Sequence, residues 1–195
     1  MRASEHCVLW TGGMDSTFLL LKLISEDVSV RPIHIALTPA TIRDLAVQAA
    51  VREQLPKWAA LPETEVIDGR NLYDQMRAVR LELAQIGCSI GHRESQIPYQ
   101  SMAAAGLSRA INQMVYLGNC ADDRCRQAEW LARNGVEMPL RYTHKTEMVS
   151  IATSGGWLNV LAATHSCIRR ATMEHCGSCV ECVKRKKSGV PTIYG

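Results

Sequence analysis

Two groups of residues in this chain combine types and spacings that do chemistry. The first is Trp10-Thr11-Gly12-Gly13-Met14-Asp15-Ser16-Thr17. Before it, Cys7-Val8-Leu9-Trp10 is an apolar run suited to a buried parallel strand, and after it Phe18-Leu19-Leu20-Leu21 continues as an apolar helix. The paired glycines let the backbone turn sharply and approach a ligand without Cβ obstruction. Asp15 and Ser16 are residue types that cap helices, and the N–H groups and positive dipole end of that helix favour an anion over the glycines. Gly12, Gly13, Asp15, Ser16 and Thr17 would then hold phosphates through backbone and hydroxyl donors. The loop is not of the Walker type, which needs a lysine that this segment lacks.

The second group is Cys167, Cys176, Cys179 and Cys182, spaced C-x8-C-x2-C-x2-C with Gly177 to permit a tight turn. Four thiolates this close can close a tetrahedral zinc site. An iron–sulfur cluster competes, because C-x2-C-x2-C also opens the bacterial ferredoxin run. That run continues with a cysteine downstream, whereas here the fourth thiol lies upstream, which favours zinc. His165 and His175 flank the group, but four cysteines saturate the metal. A closed four-thiolate site has no open position for water, so its role is structural.

The intervening chain alternates strand-like and helix-like segments. Residues 28–37 read as a second strand, with Pro32 arguing for a start near Ile33. Residues 42–55 have helical spacing up to Pro56, residues 65–68 form a third strand and residues 72–86 return to helical period. Residues 87–98 are polar and read as a loop, and residues 101–113 are small-residue-rich and helical. Residues 114–117 are a fourth strand stopping at Gly118, and residues 124–134 and 145–153 supply two more helices. The fold class is therefore α/β, a parallel sheet with helices on both faces, spanning residues 1–164 and followed by a four-cysteine segment, 165–195, packed on the same domain. Loops 11–16, 37–41 and 118–123 would converge beyond the carboxyl ends of the strands, where such sheets bind ligands.

Bulk properties narrow the function classes. A chain of 195 residues can bury roughly 70% of its unfolded surface without staples. A net charge of +3 is too small to announce direct nucleic-acid binding, and Lys184-Arg185-Lys186-Lys187 is its only basic cluster, either a solvated face or a contact to a phosphate-bearing ligand. No apolar run reaches the roughly 18 residues of a membrane span, and no signal-peptide core opens the chain, so a cytoplasmic protein with reduced thiols and no membrane contact is expected.

The T-G-G-x-D-S loop resembles the S-G-G-x-D-S loop of the N-type ATP pyrophosphatases, or PP-loop enzymes. With Ser166-Cys167, Cys176-Gly177-Ser178-Cys179-Val180-Glu181-Cys182, Arg185 and the closing Pro191-Thr192-Ile193-Tyr194, the chain resembles the 7-cyano-7-deazaguanine synthase (QueC) family. Ile97-Pro98-Tyr99, Leu117-Gly118 with Asp122-Asp123, and Pro139-Leu140 with Lys145 extend the likeness over most of the chain. Two segments depart from that family: Leu37-Thr38-Pro39-Ala40-Thr41 and Gln100-Ser101.

The resemblance implies an ATP-dependent carbon–nitrogen ligase acting on a small deazapurine with ammonia, turning 7-carboxy-7-deazaguanine into its amide or nitrile. It implies ATP held by Trp10, Thr11, Gly12, Gly13, Met14, Asp15, Ser16, Thr17 and Gly118, with Asp15, Ser16 and Lys145 in the catalytic machinery. It further implies Mg²⁺ near Asp15 or Asp122, structural zinc at the four cysteines, and a homodimer. Cys120 and Cys125, spaced C-x4-C, keep a tRNA sulfur transferase in view, although a buried pair near a strand end suits them better. Cys88 and Cys7 read as small hydrophobes. A third reading is a non-catalytic nucleotide-binding relative within a larger assembly, against which the intact glycine loop argues.

Overall fold

A computed structural model describes residues 5–36, 41–87, 89–90, 96–97, 99–123, 127–169 and 172–193. In chain order these form β1 (His6–Leu9), α1 (Met14–Ser25), β2 (Val30–Ala36), α2 (Thr41–Glu53), β3 (Glu65–Asp68), α3 (Tyr73–Gln85), β4 (Ser89–Ile90), β5 (Gln96–Ile97), α4 (Tyr99–Ile111), β6 (Val115–Leu117), α5 (Ala128–Arg133), β7 (Val136–Glu137), α6 (Lys145–Ser154), α7 (Leu158–Ala162) and α8 (Val180–Ser188). Five strands make one parallel sheet in the order β3-β2-β1-β6-β7, while β4 and β5 pair by themselves. The loop segment 37–40, Cys88, Pro98, Cys125 and Tyr194 lie outside the described residues.

The sheet is buried on both faces, as continuous apolar strands require. Along β1, Val8 and the following Trp10 pack against Phe18, Leu19 and Val47 on one side. Cys7 and Leu9 pack against Ile33, Leu107 and Leu117 on the other. Leu9 stands level with Ile33 of β2 and with Leu117 of β6. From β1 the chain moves outward through β2 to β3, then returns to the opposite side of β1 for β6 and β7. The strand order therefore reverses between β1 and β6, and sheets of this kind bind ligands in the crevice beyond the carboxyl ends of the strands at that point.

Three local expectations are corrected. Pro32 lies inside β2 instead of preceding it. The carbonyls of Ser29 and Ile33 accept from β1, so the Pro32 nitrogen faces away from β1. On that side β3 starts pairing only at Ile33, and the missing donor breaks no ladder bond. Helix α1 is capped by Gly13 and not by Asp15 or Ser16, which lie in its first turn. Within the 87–98 stretch, two-residue strands β4 and β5 pair with each other. The departing pair Gln100-Ser101 lies in the first turn of α4, with Ser101 buried.

Candidate active site and metal centre

The geometry of the glycine loop is set by two close approaches. Gly12 has φ +76°, a left-handed conformation that favours glycine, and a Cβ there would stand 3.1 Å from the Asp44 carbonyl. Gly118, at the end of β6, faces the first turn of α1 so closely that a Cβ would lie 2.5 Å from Ser16 Cα and 2.6 Å from its nitrogen. The side chain of Gly118 is absent so that two segments of backbone can touch, which brings the loop after β6 alongside Asp15.

Within the loop, Ser16 Oγ donates to the Gly13 carbonyl at 3.2 Å and accepts from Thr11 N at 3.3 Å, with Thr11 Oγ1 3.2 Å away. Those bonds hold the turn in shape. Trp10, Met14 and Thr17 point into the core. The Trp10 indole N–H donates to Thr17 Oγ1 at 2.9 Å, so both side chains brace the loop from beneath. The Trp10 carbonyl is gripped by Gln48 Nε2 at 2.9 Å and lies 3.1 Å from His34 Nδ1. Neither His34 nor Gln48 carries a sequence signal, since both sit among apolar neighbours in a strand and a helix.

Above the loop, Lys145 opens α6 and is only 5% exposed. Its ammonium donates to Asp15 Oδ2 at 2.9 Å and lies 3.5 Å from Asp123 Oδ1 and 3.5 Å from Cys120 Sγ. Residues from α1, the loop after β6 and α6 thus meet at the switch between β1 and β6. Among the aspartates of the loop after β6, Asp123 joins the cluster. The Asp122 carboxylate instead accepts the backbone N–H of Lys145 at 2.7 Å and faces His144, capping α6. Of these two neighbours, Asp123 is the one whose carboxylate stands beside the Lys145 ammonium.

Electrostatics divides these groups. Burial and the facing Asp123 raise Asp15 to about 7, against the pull of Lys145. Burial opposes ionisation of Asp123 too, but Lys145, a hydrogen bond from Asp15 and Lys184 hold it well below the usual carboxylate range. Despite burial, Asp15 and Asp123 hold Lys145 above the usual lysine range. Burial and the Asp15 charge push the Cys120 thiol up, the reverse of what a reactive thiolate needs. Asp15, Cys120 and Asp123 present ligand atoms within 4.8 Å of one another, a spacing that could hold a metal cation.

The four cysteines meet as their spacing predicts. Cys167, Cys176, Cys179 and Cys182 bring their sulfurs within 4.8 Å of one another, and the Cys176 and Cys182 sulfurs lie 4.0 Å apart. Tetrahedral Zn–S bonds of about 2.3 Å place sulfurs about 3.8 Å apart, so the donors fit a four-coordinate metal. Backbone N–H groups of Cys179 and Cys182 donate to Cys176 and Cys179 sulfurs at 3.3 and 3.5 Å, as charged thiolates want. His165 and His175 stay out of this donor set. His165 donates its backbone N–H to the Gly12 carbonyl at 3.3 Å, joining the cysteine segment directly to the glycine loop.

Behind the metal centre, Arg185 is buried and donates to Thr164 Oγ1, the Leu161 and Ala162 carbonyls and the Pro191 carbonyl at 2.7–3.1 Å. Gly189, with φ +83°, then ends α8 in the left-handed conformation and lets the tail return to that guanidinium. The basic run thus splits by role. Arg185 ties the tail to α7, Lys184 reaches Asp123 at 2.7 Å, and Lys186 and Lys187 are exposed.

The family model described as queuosine biosynthesis protein QueC matches residues 103–190, a stretch that includes Gly118, Asp123, Lys145 and all four cysteines. No curated protein matches the chain. The resemblance read from the sequence is borne out over that stretch, and a role in queuosine biosynthesis is supported by it. Among the described residues no helix is long and apolar enough to cross a membrane.

Proposed function

We propose that this protein is an ATP-dependent ligase that converts 7-carboxy-7-deazaguanine, with ammonia, into 7-cyano-7-deazaguanine or the intermediate amide. The observation that carries this reading is the Asp15–Lys145 contact, which closes a glycine loop against a segment that matches the QueC family model.

A carboxylate is a poor electrophile, and ATP makes it reactive by converting one oxygen into a phosphoryl or adenylyl leaving group. Ammonia adds to the activated carbon and the leaving group departs, giving an amide. A second activation at the amide oxygen allows its loss, with two protons from nitrogen, to give the nitrile. No covalent bond to the enzyme is needed, so the residues position groups and balance charge. The N–H groups of the first turn of α1 have no acceptor within the helix and face the phosphate chain over Gly12 and Gly13. Lys145, held at the same spot, meets charge developing on the transferred phosphorus group. Mg²⁺, which neutralises polyphosphate charge when bound, would be held by Asp15 and Asp123, and zinc by the four cysteines as a structural ion.

The test is incubation with ATP, ammonium and 7-carboxy-7-deazaguanine, followed by mass spectrometry. Amide or nitrile should form only with all three present. Unchanged deazaguanine, or a thiolated tRNA in a parallel incubation with a sulfur donor, would remove this assignment and leave the fold standing.

A further inference from the structure

Lys184 lies on α8, two residues beyond the metal-site cysteine Cys182, yet its ammonium is in the crevice. It donates to Asp123 Oδ1 at 2.7 Å and to Glu181 Oε1 at 2.9 Å. Glu181, from the same turn, also stands 3.8 Å from the Lys145 ammonium. The acidic and basic groups Glu181, Lys184, Asp123, Lys145 and Asp15 therefore alternate from the cysteine segment to the glycine loop, through four separate elements. None of these side chains is more than 26% exposed.

Partly buried ion pairs are a poor way merely to glue a helix to a domain, because desolvation offsets much of the attraction. What such a chain does supply is placement. Asp123 accepts from Lys145 and Lys184 through the same oxygen, so its carboxylate is held between two cations. With Lys184 in place that oxygen is fixed from two sides, whereas Lys145 alone would hold it from one. The position of Lys184 is in turn set by the metal segment, since Cys179 caps α8 and its sulfur accepts the Cys182 N–H.

We propose that Lys184 is a positioning residue for the nucleotide crevice, through which the cysteine segment holds Asp123 in place behind Lys145. This rests on the reading that the crevice binds ATP. The experiment measures binding of ATP with Mg²⁺ by calorimetry, alongside metal content and thermal unfolding, for wild type, Lys184→Met, Lys184→Arg and Lys187→Met. Lys184→Met should bind roughly tenfold more weakly, about 1.4 kcal/mol, while keeping wild-type metal content and melting temperature. Lys184→Arg should recover most of the affinity, and the exposed Lys187→Met should match wild type. A Lys184→Met, Asp123→Asn double variant should be little weaker than either single change, because the two act as a unit. Wild-type affinity in Lys184→Met overturns the proposal, as does equal weakening in Lys187→Met, which would mean only loss of net charge. If wild type itself does not bind ATP, the reading of the crevice fails first.

Discussion

Lys145 Nζ and Asp15 Oδ2 lie 2.9 Å apart across 130 residues of chain. Two surface residues in contact would contribute little, but this ammonium is 5% exposed and has a second carboxylate and a thiol within 3.5 Å. Replacing Lys145 with Met should cut turnover by about 10²–10³-fold, the cost of losing one preorganised charge stabiliser. Asp15→Asn should cost at least about tenfold, and the double variant should lose less than the sum of the two free energies. Steady-state kinetics on the three variants, with unfolding curves to confirm that each is folded, checks this. Full additivity would mean that the two residues act separately.

Gly118 offers a stability test of how the crevice is assembled. A Cβ there would stand 2.5 Å from Ser16 Cα, a backbone atom that cannot swing aside. Gly118→Ala should therefore destabilise the fold by about 2–3 kcal/mol, as overpacking does, and weaken ATP binding by displacing α1. Urea unfolding reads the first effect. A change below about 0.5 kcal/mol would show that β6 and α1 are not packed this closely.

Asp15 should leave a mark on the pH dependence of stability. Burial and Asp123 raise it to about 7, while an unfolded aspartate titrates near 3.9. The folded chain keeps this proton over an interval in which the unfolded chain releases it, so the group's contribution is full below about pH 4 and is lost as pH rises to about 7. The groups that face Asp15 are Lys145 from α6 and Asp123 and Cys120 from the loop after β6, with Lys184 and Glu181 of α8 behind them. Comparison with Asp15→Asn removes the other titrations. The stability of wild type relative to that variant should fall by on the order of 1–2 kcal/mol between pH 5 and pH 7. A flat difference would place Asp15 among ordinary ionised carboxylates.

Local signals in the sequence carried most of the framework, and non-local ones carried little. The apolar run before Gly12-Gly13 and the C-x8-C-x2-C-x2-C spacing act within a few residues, so strand, turn, helix and metal donors could be read directly. Lys145 could be named only by resemblance, because a lysine at a helix start looks solvated until its partner 130 residues away is known. Asp122 and Asp123 are adjacent and chemically identical, and only the turn between them decides which caps α6 and which enters the crevice. Lys184 was hidden inside a basic run for the same reason. Strand β7 and helix α7, two and five residues long, are too short to show a period.

The metal centre can be tested with a substitution that separates coordination from helix capping. Cys179 does two things: its sulfur belongs to the four-thiol donor set, and it caps α8 by accepting the Cys182 N–H. Serine is a strong helix cap but a poor zinc ligand, so Cys179→Ser keeps the second role and removes the first. Wild type should carry about one zinc per chain, lose thermal stability in a strong chelator and recover it when zinc is restored, because structural zinc binding contributes folding free energy. Cys179→Ser should contain little zinc and melt several degrees lower than wild type. It should respond hardly at all to the chelator. If capping alone mattered, the serine variant would melt like wild type. Iron with visible charge-transfer absorption in the purified protein would replace zinc by an iron–sulfur cluster at the same four sulfurs.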